Sequence, residues 1–300
     1  MSSTHERLYL EHREAMMSAA YRVLGNRVET EDAVQEVWLR WAEVGVDNVR
    51  TPQAYLVTMA TREALNRARA GQRRREHYVG PWLPEPWAMR NRDASAARPV
   101  EPHEAVELAE SVSMALLVVL ASLTPIERAV FVLREVFDVP YAEIAAALDR
   151  RPSTVRQMAH RARGHVQARR PHAAVDVSEH AEATTRFVHA VQGGSIEALL
   201  STLAPDAVLT SDGGGKVSAA RRPISGRDRV SAFLLGIAGQ KRGVVTTRPV
   251  VVNGEDAVAV HIDCQLSALV MLGVRDGVVS DVFILRNPDK LNRLIGTDPS

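Results

Sequence analysis

The sequence contains a single cysteine, Cys264, in 300 residues, which rules out an intramolecular disulfide and any cysteine-rich zinc site. That scarcity fits a reducing compartment, and the thiol is expected to be a buried apolar filler. Lysine is nearly as scarce. Only Lys216, Lys241 and Lys290 occur, so 34 of the 37 basic residues are arginine. Long apolar runs are also missing: the longest, Met114 to Ala121, falls far short of the roughly 20 residues that span a bilayer. The polar start MSSTHERLYLEHRE does not read as a signal peptide, so a cytoplasmic chain with no membrane partner is expected. Net charge is lacking too. The 37 basic and 36 acidic residues leave +1, which at face value gives little reason to look for a nucleic-acid partner.

An apolar share of 46% with 24% charged residues suits packed domains rather than disorder, and the length points to two or more of them. Splitting the charge by segment changes the picture given by the average. Arg62 to Arg75 holds six arginines against Glu63 alone, and Asp149 to Arg170 holds seven arginines against one acid. The stretch 76–123 is acidic, with three basic residues to seven acids, and 175–300 is balanced at 13 to 14. Two short basic patches therefore sit in acidic and neutral surroundings.

Up to residue 76 the pattern predicts three helices. Met16, Ala20, Val23 and Leu24 form one apolar stripe, and Val34, Trp38 and Trp41 another. Gly25-Asn26 supplies a stop, Thr30 a cap for the second helix, and Thr51-Pro52 opens the third. From His77 to Pro102 five of the fifteen prolines cluster without helical periodicity, which marks a linker. Its aromatic part, YVGPWLPEPW, is expected either to dock somewhere or merely to collapse. Helices resume over 104–123, 125–137, 141–148 and 153–167, and one more covers 179–192. Beyond it, strand-like runs at 207–210, 244–252, 257–266, 268–274 and 278–285 are separated in part by Asn253-Gly254 and Asp276-Gly277, the dipeptides of tight hairpins. The second half is thus predicted to be α+β with an antiparallel sheet.

The clearest motif is PYAEIAAALDRRPSTVRQMAHRAR, from Pro140 to Arg163. A short helix, a tight turn at Asp149 to Pro152 and a second helix capped by Ser153 make a helix-turn-helix. Thr154, Arg156, Gln157, His160, Arg161 and Arg163 face outward, where donors near a helix N-terminus reach base edges and flanking arginines hold phosphates. The second patch, YLVTMATREALNRARAGQRRRE, has an apolar face, with Thr61 and Asn66 among its arginines as base-reading groups. Just before it, TEDAVQEVWLRWAE sets Asp32, Gln35, Glu36 and Arg40 opposite Val34, Trp38 and Trp41.

In this order the three segments resemble the extracytoplasmic-function group of bacterial sigma factors over about residues 5 to 170. The resemblance implies that Asp32, Gln35, Glu36 and Arg40 contact the clamp of core RNA polymerase. It implies that Arg62, Asn66, Arg67, Arg69, Arg73 and Arg74 open and hold the −10 strand, and that Ser153, Thr154, Arg156, Gln157 and Arg161 read the −35 duplex of promoter DNA. Residues 175–300 resemble the SnoaL-like, NTF2-like α+β cone fused to one subgroup of the family. The expected organisation is two all-α domains, at 1–76 and 104–171, joined by a linker at 77–103 and followed by the cone.

Three motifs mark that subgroup: WLPEP (Trp82, Leu83, Pro84 and onward), DGGGK (Asp212, Gly213, Gly214, Gly215, Lys216) and NPDKL (Asn287, Pro288, Asp289, Lys290, Leu291). DGGGK lacks the spacing of a phosphate-binding loop and reads either as a turn or as a site. The three motifs are expected to form a regulatory interface through which the cone acts on the sigma domains. His261 and Asp263 alternate with apolar residues and either line a pocket, where an unidentified small ligand would sit, or face water. No catalytic residue, metal or cofactor is expected, and the free protein is expected to be a monomer. Two alternatives stay open at this stage: a ligand-responsive repressor, and a SnoaL-like isomerase or cyclase carrying a DNA-binding arm.

Overall fold

The computed structural model describes residues 2–76, 78–87, 89–91, 112–169, 176–240 and 243–295. The chain divides into two compact units, one made of Met1–Glu76 with Leu116–Arg170, the other of His77–Ala115 with Pro171–Ser300.

The first unit begins with four helices rather than three: α1 (Ser2–Glu11), α2 (Arg13–Leu24), α3 (Arg27–Trp41) and α4 (Pro52–Glu76). Gly25 ends α2 in the left-handed region (φ 63°), donating its N–H to the Tyr21 carbonyl, and Asn26 caps α3 by accepting the Glu29 N–H at 2.9 Å. The cap therefore falls at Asn26, four residues before the Thr30 expected. Asn26 is the first capping side chain after the break, and the Thr30 hydroxyl, now inside the helix, returns to the Asn26 carbonyl. Helix α4 packs against both α2 and α3. It buries Leu56, Val57, Ala60, Thr61, Ala64, Leu65 and Ala68, at helical spacing. Trp41 is fully buried and its indole N–H donates to the His5 carbonyl at 2.9 Å, which ties α1 to the end of α3.

Helices α5 (Met114–Ala121), α6 (Pro125–Phe131), α7 (Tyr141–Leu148) and α8 (Pro152–Arg169) follow, with a wider-wound turn at Val132–Val136 extending α6. Residues 104–111 of the expected helix 104–123 lie outside the described residues. Thr124 and Glu127 form a capping box at the start of α6. Buried Arg128 donates to the carbonyls of Leu120, Ala121 and Leu123 and to that of Val23 in α2. One guanidinium thus closes the C-terminal ends of two helices, where carbonyls lack internal partners.

In the second unit β1 (Met89–Asn91) precedes α9 (Val177–Gly193), α10 (Ile196–Thr202), β2 (Leu203–Asp212), β3 (Ile224–Ser225), α11 (Arg227–Gly239), β4 (Val245–Val252), β5 (Glu255–Ile262), β6 (Gln265–Arg275), β7 (Val278–Leu285) and α12 (Pro288–Ile295). The seven strands run in the order β1-β4-β5-β6-β7-β2-β3. The sheet is mixed rather than wholly antiparallel, because β2 and β7 pair in parallel. Ala183, Phe187, Leu199, Val230 and Leu234 on the helices form one core with Leu209, Leu272 and Ile284 of the sheet.

Asn253-Gly254 and Asp276-Gly277 make hairpin turns with positive φ, as expected. A third hairpin splits the run predicted as one strand over 257–266. Asp263 (φ 50°) and Cys264 (φ 65°) form its turn, and the Asp263 carboxylate accepts the Val244 N–H at 2.9 Å while its own N–H returns to the Val244 carbonyl. Cys264 is consequently exposed, not the buried filler expected from its chemistry alone.

Glu255, first residue of β5, is pushed by burial up to about 7 from its ordinary 4.5, opposed by a hydrogen bond from the Met114 backbone. A carboxyl raised on folding stabilises the native state fully below about pH 4.5 and loses that stabilisation as pH rises through about 7. Glu255→Gln is therefore expected to stabilise the protein by roughly 2–3 kcal/mol at pH 8 and to be near neutral at pH 4.5, as measured by thermal unfolding at both values.

Candidate functional site

On α3 the side chains of Asp32, Gln35 and Arg40 are exposed and that of Glu36 is half-buried, opposite buried Ala33, Val34, Val37 and Trp41. On α4, Arg62, Asn66 and Arg69 are exposed at spacings of four and three, with Arg67 half-buried beside them. This is one stripe of a helix. Thr61 is fully buried and so drops out as a base reader. The side chains of Arg73 and Arg74 lie outside the described residues, although the helix backbone continues to Glu76. Glu63, the acid among the arginines, bridges the two helices: its carboxylate lies 3.2 Å from Arg67 and 3.3 Å from Arg40.

The helix-turn-helix consists of α7 and α8. Asp149 takes the left-handed cap (φ 52°) that glycine often fills, and its N–H bonds to the Ala145 and Ala146 carbonyls. A short polar side chain tolerates that conformation. Helix α8 starts at Pro152, so Ser153 lies in its first turn rather than capping it. Val155, Ala159, Ala162 and Val166 are buried, whereas Ser153, Arg156, Gln157, His160 and Arg161 are exposed and Thr154 is half-buried. Arg156, Gln157, His160 and Arg161 line a recess of about 370 Å³. Arg163, expected to face outward freely, is instead held by both oxygens of Glu135 at 2.7 and 3.1 Å. Arg161 has Glu127 at 3.7 Å.

In the second unit WLPEP, DGGGK and NPDKL converge on one carboxylate. Asp212 is fully buried at the end of β2 and accepts four donors: Tyr78 Oη at 2.6 Å, Gly214 N at 3.0 Å, Leu83 N at 3.0 Å and Lys290 Nζ at 2.8 Å. Lys290, also buried, donates to the Leu83 carbonyl as well and sits 4.4 Å from the centre of the Trp82 ring, so an aromatic face and a carbonyl complete its surroundings. Burial, reinforced by the bond to Asp212, pushes the Tyr78 hydroxyl above its ordinary value and keeps it a donor. Asn287 donates to the Tyr78 hydroxyl and accepts the Asp289 N–H, thereby starting α12, whose first residue is Pro288. Leu83, Pro84 and Leu291 are buried. Lys216 and Asp289 pair at the exposed edge at 2.6 Å, and Arg293 reaches buried Glu85 at 2.7 Å.

The glycines of DGGGK are required by this convergence. Gly214 and Gly215 have positive φ. A Cβ on the first would strike the Asn287 side chain and one on the second would sit 2.9 Å from Val79 of the linker. Gly213 is closed off by Val217 and Ala219 of its own loop. A second anchor holds the far side of the linker: buried Asn253 accepts the Trp87 N–H at 2.9 Å and donates to the Val112 carbonyl at 3.2 Å. Asn253, Tyr78, Glu85 and Arg293 were not foreseen. The Asn253-Gly254 pair signalled a turn, but nothing in a turn dipeptide signals burial.

His261 and Asp263 do not form an acid–base pair. Asp263 lies in the turn with its carboxylate on Val244, and His261 Nδ1 is buried without a hydrogen-bond partner. Among the described residues no cluster of His, Cys, Asp and Glu is placed to hold a metal ion, and no helix is long and apolar enough to cross a membrane.

The family described as Sigma-70 region 2 matches residues 8–74, Sigma-70 region 4 matches 113–166, and the SnoaL-like domain matches 184–283. Over 289 residues the chain is 36% identical to the ECF RNA polymerase sigma factor SigJ of Mycobacterium tuberculosis, covering 93% of this chain and 90% of that protein. It is 30% identical over 286 residues to the probable ECF RNA polymerase sigma factor SigI of the same organism, covering 94% and 93%. A crystal structure of M. tuberculosis SigJ superposes with a TM-score of 0.73 at 31% identity, over 97% of this chain and 98% of that one. The chain belongs to the extracytoplasmic-function RNA polymerase sigma factors, in the form that carries a C-terminal SnoaL-like domain.

Removing one partner of a buried ion pair strands the other charge. Asp212→Ala and Lys290→Met are each expected to cost about 3 kcal/mol or more in stability of the second unit, with the double substitution Asp212→Ala/Lys290→Met recovering part of that loss. Urea unfolding of the four proteins checks the cycle, and strict additivity would contradict coupling between the two groups.

Proposed function

We propose that this sigma factor directs core RNA polymerase to promoters with the α4 stripe on the −10 element, the exposed face of α8 on the −35 element and the α3 stripe on polymerase, and that its SnoaL-like domain regulates it in cis by holding the linker. The observation that carries the regulatory part is the anchoring of that linker, which in chain order joins region 2 to region 4, at Asp212, Lys290 and Asn253. A tethered module whose linker is gripped loses reach, and reach sets the effective concentration of its binding partner site. The DNA part is supported by the exposure of Arg62, Asn66 and Arg69 on one stripe, and of Arg156, Gln157 and Arg161 around one recess. Both suit the division between phosphate contacts and base reading. The SnoaL-like domain is read as regulatory rather than catalytic, because its His261 and Asp263 make separate contacts and no hydrogen bond joins them.

Transcription reconstituted with core polymerase tests both parts. Arg156→Ala is expected to lower −35-dependent initiation by about ten-fold or more and to relax preference at one base position, whereas Arg62→Ala weakens binding to all sequences and lowers the salt slope by about 0.7. Lys290→Met is expected to make residues 78–87 accessible to protease and to change promoter output several-fold with DNA contacts intact. Unchanged output from linker-released variants would remove the regulatory role of the clamp.

A further inference from the structure

Glu63 is the one acid in the stretch Arg62 to Arg75, and it is placed differently from the arginines around it. Its side chain is 11% exposed, and its two oxygens are divided between helices: Oε1 faces Arg67 Nε at 3.2 Å and Oε2 faces Arg40 Nη2 at 3.3 Å. The pairing continues outward at both ends. Arg40 meets Glu36 at 3.3 Å and Arg67 meets Asp32 at 3.6 Å. Five charges therefore alternate as Glu36, Arg40, Glu63, Arg67 and Asp32, crossing from α3 to Glu63 and Arg67 of α4 and returning to α3 at Asp32. The end members Glu36 and Asp32 are much more exposed than Glu63, at 38% and 54%, so a partner reaches the ends first.

We infer that Glu63 is a positioning residue that withholds Arg67 from DNA until polymerase binds. This rests on the reading of α3 as the polymerase face and α4 as the −10 face. In the free chain Arg67 is shared between two carboxylates, and a phosphate has to displace them. A polymerase surface bearing cationic groups takes up Asp32 and Glu36. Losing Asp32 frees one side of Arg67, and losing Glu36 turns Arg40 fully onto Glu63, where it competes with Arg67 for the same carboxylate. Both changes push in one direction, so engagement of α3 makes the Arg67 guanidinium available on α4. Neither stripe alone has this property, because the coupling passes through a carboxylate that pairs with an arginine of each helix and is screened from solvent better than surface pairs.

The test is binding of a −10 non-template single strand by the full chain, measured by fluorescence anisotropy over a salt series, with and without core polymerase. Glu63→Gln is expected to tighten binding by the free chain about five-fold and to steepen the salt slope by about 0.7, the share of one added phosphate contact. Asp32→Asn, an exposed change that leaves folding intact, is expected to give a smaller gain of the same sign. In an Arg67→Ala background both gains vanish, and with polymerase bound both shrink. Gains that persist without Arg67, or that are equal with and without polymerase, would show general charge repulsion instead and overturn the relay, as would the absence of any gain. Arg67→Ala alone separates the two levels: if it leaves polymerase-bound promoter affinity unchanged, the −10 reading of Arg67 fails, whereas a loss there with no effect of Glu63→Gln or Asp32→Asn removes the relay and leaves that reading standing.

Discussion

A carboxylate with no access to water must find a donor for each lone pair or lose its charge. Asp212 is that carboxylate, and the second unit is organised around it. Its four donors come from three separated stretches of chain: Tyr78 and Leu83 of the linker, Gly214 of its own loop and Lys290 of α12. Each requirement propagates. Lys290 needs Trp82 and the Leu83 carbonyl to complete its own surroundings, Asn287 must start α12 so that Lys290 points inward, and the loop after Asp212 must run close enough to Asn287 and Val79 to exclude side chains. A buried ion pair of this kind is poor evidence for stability, because desolvation offsets most of the attraction. What it supplies is selectivity: few other arrangements of linker, loop and C-terminal helix satisfy all of these groups.

The same logic operates with weaker forces in the helical unit. Glu63 is buried less completely than Asp212, and it has two arginine partners instead of a single lysine. A closed network such as that of Asp212 holds one geometry, whereas an open, alternating chain of charges passes a change at its ends to the groups in its middle. The first suits a clamp, and the second suits two adjacent helices of one bundle whose exposed stripes are proposed to meet polymerase and promoter. Arg128 adds a third device, using backbone carbonyls at two helix ends as its acceptors.

Much of this molecule was legible as sequence. The helix-turn-helix followed from apolar spacing in Ile144, Leu148, Val155 and Ala159, which are buried as that spacing required. The Asn253-Gly254 and Asp276-Gly277 hairpins followed from residues that tolerate positive φ. The errors share a cause. Thr30 lost its capping role to Asn26 because helix starts are decided by the nearest upstream break, Ser153 lost its own to an earlier start at Pro152, and Cys264 left the core because Asp263 built a turn through a bond to Val244. The parallel pairing of β2 with β7 was likewise hidden, since strand direction depends on where the connecting helices lead the chain.

By itself the sequence determined the classes of element, the two arginine stripes and three motifs expected to share a regulatory interface, because periodicity, capping and local charge act over a few residues. Only the tertiary structure decided that WLPEP, DGGGK and NPDKL meet at the buried Asp212 carboxylate, that Arg163 is occupied by Glu135, and that Glu63 joins α3 to α4. Those outcomes depend on pairs separated by 23 to 207 residues along the chain, from Arg40–Glu63 and Arg163–Glu135 to Lys290–Leu83. At such separations the partner of a charge is chosen by burial and geometry, which no local pattern records.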